Sequence, residues 1–239
     1  MNFTTDNLLV LDIETVRSHK TYDELSERLQ AQWDRKASFL KNEEELTPAE
    51  LYEDRGGIYA EFGKIVSISV GFFTHNGPDL GLRIKSFYNE DESQLLQDFV
   101  DLLGKFDQQK LTLAGHNGKE FDFPYISRRL LVNGMKLPYV LDTGGKKPWE
   151  VNHVDTMEMW KFGDWKSYTS LELLATLFDI PTSKDSIDGS EVGTVYYEEN
   201  DLERIAEYCG KDVLVTAQLL LRLNQQPVVK EENILFVDN

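Results

Sequence analysis

The chain is 239 residues long and 41% hydrophobic, enough for one large α/β domain with a sizeable core. Its net charge of −17, taken alone, argues against a polyanionic partner, because affinity for nucleic acid is dominated by the neutralisation of phosphates. No apolar run reaches the roughly 18 to 20 residues that span a bilayer, the start MNFTTDN has no basic flank before an apolar stretch, and Cys209 is the only cysteine, so no membrane association and a reducing, cytoplasmic setting are expected.

In chain order, LLVLDIETV (8–16) reads as a buried strand. The polar, charge-rich segment from Ser18 to Glu61 reads as an inserted helical arm. It carries apolar residues at helical spacing (Leu25, Leu29, Trp33) and then TPAELYED, with Thr47 as N-cap, Pro48 at the first helical position and Glu50 three residues after the Thr. KIVSISVGFFT (64–74) and GLRIKSFYN (81–89) read as two strands joined by the Asn76-Gly77 turn signal. A helix follows, with Leu95, Leu96, Phe99, Val100, Leu102 and Leu103 along one face. LTLAGHN (111–117) is a short strand, FPYISRRLLVNG (123–134) a helix, NHVDTMEMW (152–160) a strand running into a helix, and SLELLATLFDIP (170–181) a helix stopped by Pro181. After the polar loop 182–193 comes the long helix 201–223, then a tail that packs as an extra strand or frays. Three strands in series followed by strand-helix alternation indicate a mixed sheet covered by helices, in one domain over residues 1–239. Charge is uneven: residues 105–170 hold ten Lys or Arg against eight Asp or Glu, among them Lys119, Arg128, Arg129, Lys146, Lys147, Lys161 and Lys166.

Asp12 and Glu14 stand at i and i+2 of the first strand, so their side chains leave one face. An ionised carboxylate in an apolar strand is costly without a cation or a hydrogen-bond cage, and two neighbouring acids repel unless a divalent cation lies between them. Hard oxygen ligands of this kind suit Mg²⁺ or Mn²⁺. Asp122 lies in HNGKEFDFPYI, where a strand gives way to a helix, and its plainer role is that of an N-cap. Tyr208 and Asp212, in YCGKD, share one face of the last long helix. Asp155, in HVDT, suits helix capping, His116 reads as a satisfied strand-end histidine, and Cys209 reads as a small buried apolar residue.

Together, Asp12-x-Glu14, NGKEFDFPY and Tyr208-x-x-x-Asp212 resemble the three motifs of DEDD 3′–5′ exonucleases of the Tyr subclass. The resemblance is to the proofreading domains of family B DNA polymerases and to stand-alone polymerase-B-like predicted exonucleases, over roughly Leu8 to Leu223. It implies a ribonuclease-H-like α/β fold, a mixed five-stranded sheet flanked by helices, with the 18–61 arm inserted. It implies that Asp12, Glu14, Asp122 and Asp212 hold two divalent cations, Mg²⁺ or Mn²⁺, and that Tyr208 orients the attacking water. Asp155 matches a position where such exonucleases often carry an acid. Asn117 is a candidate for binding the terminal nucleotide, Phe121 and Tyr125 for stacking on a base although core packing suits them better, and Lys184 for contacting a phosphate. The implied substrate is the 3′ end of single-stranded DNA or RNA, with DNA favoured. About sixteen residues remain after Leu223, so any link to replication or repair is expected to run through a partner. Two other readings share the features: an inactive ribonuclease-H-like module that binds nucleic acid or protein, and a phosphodiesterase of small nucleotides.

Overall fold

A computed structural model describes residues 5–76, 79–164, 168–182 and 187–237. Six strands form one mixed sheet in the order β5-β4-β1-β2-β3-β6. They are β1 (Leu8–Arg17), β2 (Gly63–Asn76), β3 (Asp79–Tyr88), β4 (Thr112–Gly115), β5 (Val154–Asp155) and β6 (Ile234–Val237). β1, β2 and β3 are antiparallel in series, whereas β4, β5 and β6 join as parallel strands. The sheet therefore has one strand more than the five expected. The tail supplies it: Ile234 to Val237 register against Leu82 to Lys85 and cover the outer edge of β3.

The side-chain alternation of β1 decides what each face of the sheet meets. Leu9, Leu11 and Ile13 enter a large core with α3 (Glu92–Leu103) and α4 (Asp122–Val132). Leu8 and Val10 face the other way and pack with Val213, Ala217, Leu220 and Leu221 of the last helix. Asp12 and Glu14 continue this second row.

The arm between β1 and β2 contains α1 (Glu27–Ala37) and α2 (Pro48–Arg55). The capping box of Thr47 and Glu50 forms as expected, with Pro48 at the first helical position. Trp33, Tyr52 and Phe62 make a small core of their own through edge-to-face rings. Past the sheet lie α5 (Thr156–Lys161), α6 (Leu171–Leu177), α7 (Val192–Thr194), one π-helical turn (Val195–Glu199) and α8 (Leu202–Leu223). Part of the stretch expected as polar loop is thus helical, because Val192 and Val195 are buried against Val16, Val66 and Ile205. No helix among the described residues is long and apolar enough to cross a membrane.

α8 packs closely on the sheet because the strand row beneath it is small. Ser67, Ser69 and Gly71 of β2 register opposite Glu14, Asp12 and Val10. A β-carbon on Gly71 would stand 2.8 Å from Val213, and one on Gly210 would stand 3.1 Å from the Ser86 hydroxyl.

Candidate active site

β1 pairs with β4 only from Leu8 to Val10, so the edge of β1 beyond that point lacks a strand partner on this side. Asp122 fills the place. Its Oδ1 accepts the Ile13 amide at 3.0 Å, and its side chain is buried. Asp122 does not take the plainer N-cap role: it is the first residue of α4, Phe121 occupies the cap position, and the carboxylate is turned toward β1. On the opposite edge of β1 the register with β2 shifts between Glu14 and Thr15. The extra residue is Val66 of β2, so the pairing steps directly after the second acid of β1.

α8 brings the third group. Cys209 is buried, and its thiol donates to the Asp12 backbone oxygen and to Asp12 Oδ2, each at 3.4 Å. One ligand atom each from Asp12, Glu14 and Cys209 lie within 4.8 Å of one another. Burial pushes the Cys209 thiol up, and the charges of Asp12 and Glu14 push it further, so it stays protonated as a donor. The Tyr208 hydroxyl donates to the Asp212 carboxylate one turn along.

The electrostatics are those of crowded acids. Burial raises Asp12 well above the ordinary carboxylate range, and the charges of Asp122, Asp212 and Glu14 raise it further. Glu14 is raised by burial and by Asp212 and Asp122. Burial pushes Asp122 up to about 7 against hydrogen bonds from its own amide and that of Ile13, with Asp155 and Asp212 adding repulsion. Burial pushes Asp212 up to about 6, the Tyr208 hydrogen bond draws it back, and repulsion from Glu172 adds to the rise. Tyr208 itself is driven far above its usual value by burial, then by Asp212 and Glu14. Four mutually repelling carboxylates with one tyrosine held neutral are a donor set suited to hard divalent cations.

A cleft of about 600 Å³ opens on this group, lined by Asp12, Tyr208 and Asp212, with His116, Tyr168 and Glu172 on its walls. His116 is braced there, Nδ1 to Thr156 Oγ1 at 2.8 Å and Nε2 to the Thr169 carbonyl at 2.9 Å, and its pKa is lowered by burial. Asp155 is buried and does two jobs. It caps α5 through the amides of Met157 and Glu158, and it holds the 117–119 loop by accepting the amides of Asn117 and Lys119. Asn117 sits in the left-handed region at φ 61°, and its buried Oδ1 has no hydrogen-bond partner among the described residues.

The remaining expected residues divide. Tyr125 does not face substrate: it is 1% exposed, and its hydroxyl donates to the Gly57 carbonyl at 2.8 Å, because the large core beneath α4 needs its ring. Phe121 is partly buried and tilts against Tyr125, with ring centroids 5.4 Å apart. Lys184, like Lys166, lies outside the described residues. Two of the basic residues of the 105–170 segment are committed elsewhere, Arg129 in a buried ion pair with Glu92 at 2.6 Å and Lys119 with Glu158 at 2.8 Å. Sequence reasoning missed the donor role of Cys209. Its position between Tyr208 and Asp212 was the available signal.

Comparison with known proteins adds three findings. Residues 58–231 match a family model described as predicted 3′-5′ exonuclease related to the exonuclease domain of PolB. That span contains Asp122, Tyr208 and Asp212 and stops short of β1. Among solved structures, the family B DNA polymerase from the hyperthermophilic archaeon Pyrobaculum calidifontis is similar over 90% of this chain, with 17% identity and a TM-score of 0.54. The likeness is one of fold, and the chain spans about a quarter of the polymerase's length, 24%. The RNase domain of the yeast Pop2 protein aligns over 96% of this chain and 81% of its own, at 12% identity and a TM-score of 0.34. No curated protein matches the chain significantly.

Proposed function

The chain belongs to the family of predicted 3′-5′ exonucleases related to the exonuclease domain of PolB, and on that premise we propose that it hydrolyses phosphodiester bonds from the 3′ end of single-stranded nucleic acid, DNA in preference to RNA. We read residues 1–239 as one exonuclease domain with the 18–61 segment as an arm inserted between its first two strands. The observation that carries the reading is the meeting of three distant motifs on β1, where the Ile13 amide binds Asp122 between Asp12 and Glu14 and the Cys209 thiol, next to Tyr208, binds Asp12.

Asp12, Glu14, Asp122 and Asp212 would hold two divalent cations, Mg²⁺ or Mn²⁺. When bound, these would supply acidification of water and stabilisation of the charge that develops on the phosphate and the leaving 3′ oxygen. The chain's own residues prepare the site. The Ile13 amide fixes Asp122, the Cys209 thiol fixes Asp12, and Asp155 fixes the loop that carries Asn117, which would face the terminal nucleotide. Tyr208, held neutral by burial and anchored on Asp212, would orient the attacking water as a hydrogen-bonding group and not as a base.

The test is a degradation assay on 5′-labelled single-stranded DNA, duplex DNA and RNA with Mg²⁺ or Mn²⁺. Progressive shortening from the 3′ end, absent with a chelator, is expected. Asp12→Ala should abolish it, a loss well beyond the about 10- to 100-fold of removing an outer partner of a metal ligand, while the melting transition remains cooperative. A wild-type protein that shortens none of the three substrates would sink the proposal.

A further inference from the structure

We propose that Lys211 is a substrate-binding residue that contacts the phosphate backbone of the strand entering the cleft; this rests on the exonuclease reading above. The stripe of α8 that faces the cleft carries Tyr208, Lys211, Asp212 and Val215, at the i, i+3, i+4, i+7 spacing of one helix face. Lys211 is the one Lys or Arg among the described residues that line the cleft. The acids Asp12, Glu172, Asp188, Glu191 and Asp212 line the same cleft.

Its environment is unusual for a lysine. The residue is half-buried, and no ion pair or hydrogen bond of its ammonium occurs among the described residues. Glu207, four positions back on the same helix, is a ready partner and borders the neighbouring hollow on the far side of Lys211 together with Glu203. No ion pair joins them. A partly buried cation that none of these carboxylates engages in an ion pair keeps its donors for an anion that arrives with a ligand.

Charge arithmetic says which anion. Two divalent cations would cancel the four carboxylates of the proposed metal set, leaving Glu172, Asp188 and Glu191 unopposed. A phosphodiester entering that cleft meets net negative charge, and Lys211 is the fixed positive charge available on the described walls to offset it. It stands beside Asp212, so an ammonium on its flexible stem reaches the backbone phosphate next to the bond being cut. Such a contact reads no base and adds one counterion-releasing site.

The test compares wild type, Lys211→Met and Lys211→Arg at saturating metal, on a single-stranded oligonucleotide over a range of salt concentrations. Lys211→Met keeps the aliphatic stem and removes the charge. It should raise KM about tenfold, the scale of one charge-assisted hydrogen bond, on every sequence tried, with a smaller change in kcat. It should also flatten the slope of log(kcat/KM) against log salt by about 0.7, the share of one phosphate contact on a single strand. Lys211→Arg should retain the wild-type slope. Lys211→Gln serves in place of the Met variant if that variant fails to melt cooperatively. An unchanged KM and slope, or a change confined to tighter half-saturation by metal, would overturn the inference, since the lysine would then only balance the carboxylates. An active wild type with unmoved variants defeats this inference alone, whereas an inactive wild type defeats the exonuclease reading and the inference with it.

Discussion

Asp122 spends its carboxylate on the Ile13 amide, although a capping place at its own helix lay one residue away. That choice places a buried acid between β1 and α8, where Asp155 and Asp212 repel it, and burial lifts it to about 7. Asp212 follows at about 6. Both folded-state values lie above the ordinary 3.8, so the metal-free folded protein binds protons more tightly than the unfolded chain does. Their contribution to stability is fully present below about pH 4 and is lost as the pH rises through about 6 to 7. Divalent cations should reverse the loss. We expect Mg²⁺ or Mn²⁺ to raise the melting temperature clearly at about pH 8 and little at about pH 5, and Asp122→Asn to remove much of that difference. A metal-induced shift that is the same at both pH values would contradict this account. Asp12 and Glu14 stand out in the sequence as acids inside an apolar strand, whereas Asp122, Tyr208 and Asp212 each have a plain structural reading alone and join them as candidates through the resemblance to the three exonuclease motifs. Cys209 was marked in the sequence only by its place between Tyr208 and Asp212, since its role depends on a contact with Asp12 far away in the chain. Core packing suited Tyr125 better than stacking already in the sequence, but spacing alone does not say how deep the core under α4 runs.

Among the elements, α8 decides whether the site exists, and its seat is cut by small residues. Ser67, Ser69 and Gly71 lie opposite Glu14, Asp12 and Val10, and Gly71 leaves 2.8 Å between a virtual β-carbon and Val213. Replacing Gly71 with Val would wedge α8 away from β1 and loosen the contacts of Cys209 and Asp212. The expected result is a stability loss of about 1 to 3 kcal/mol from overpacking, measured by urea melting, with a larger proportional loss of activity. Full activity in a stable Gly71→Val protein would show that the seat is not needed. The helices and long strands were legible from their periods, and the capping box of α2 from four consecutive residues. The sixth strand was harder to see, because Ile234 to Val237 is too short to carry a pattern, and its place beside β3 is decided by an edge that no local sequence describes. The π-helical turn was hidden for the same reason: its buried Val195 answers to Val16 and Val66, not to its neighbours in sequence.

At the scale of the whole molecule, a net charge of −17 and a nucleic-acid substrate are compatible if contact is confined to a few phosphates near the cut. Two to three such contacts predict that a fourfold rise in salt raises KM for a single-stranded oligonucleotide by about tenfold. A KM indifferent to salt would argue that the strand is held by other means. The order β5-β4-β1-β2-β3-β6 puts the first strand in the middle of the sheet, and the helix that completes the acidic group comes late in the chain. The bond between Cys209 and Asp12 joins positions 197 apart. Closing so long a loop is among the slower events in folding, and most of the chain must already be made before it can occur. A growing or partly unfolded chain therefore carries the acids as scattered, separately solvated side chains, so that the capacity to destroy nucleic acid arises last, together with the native state.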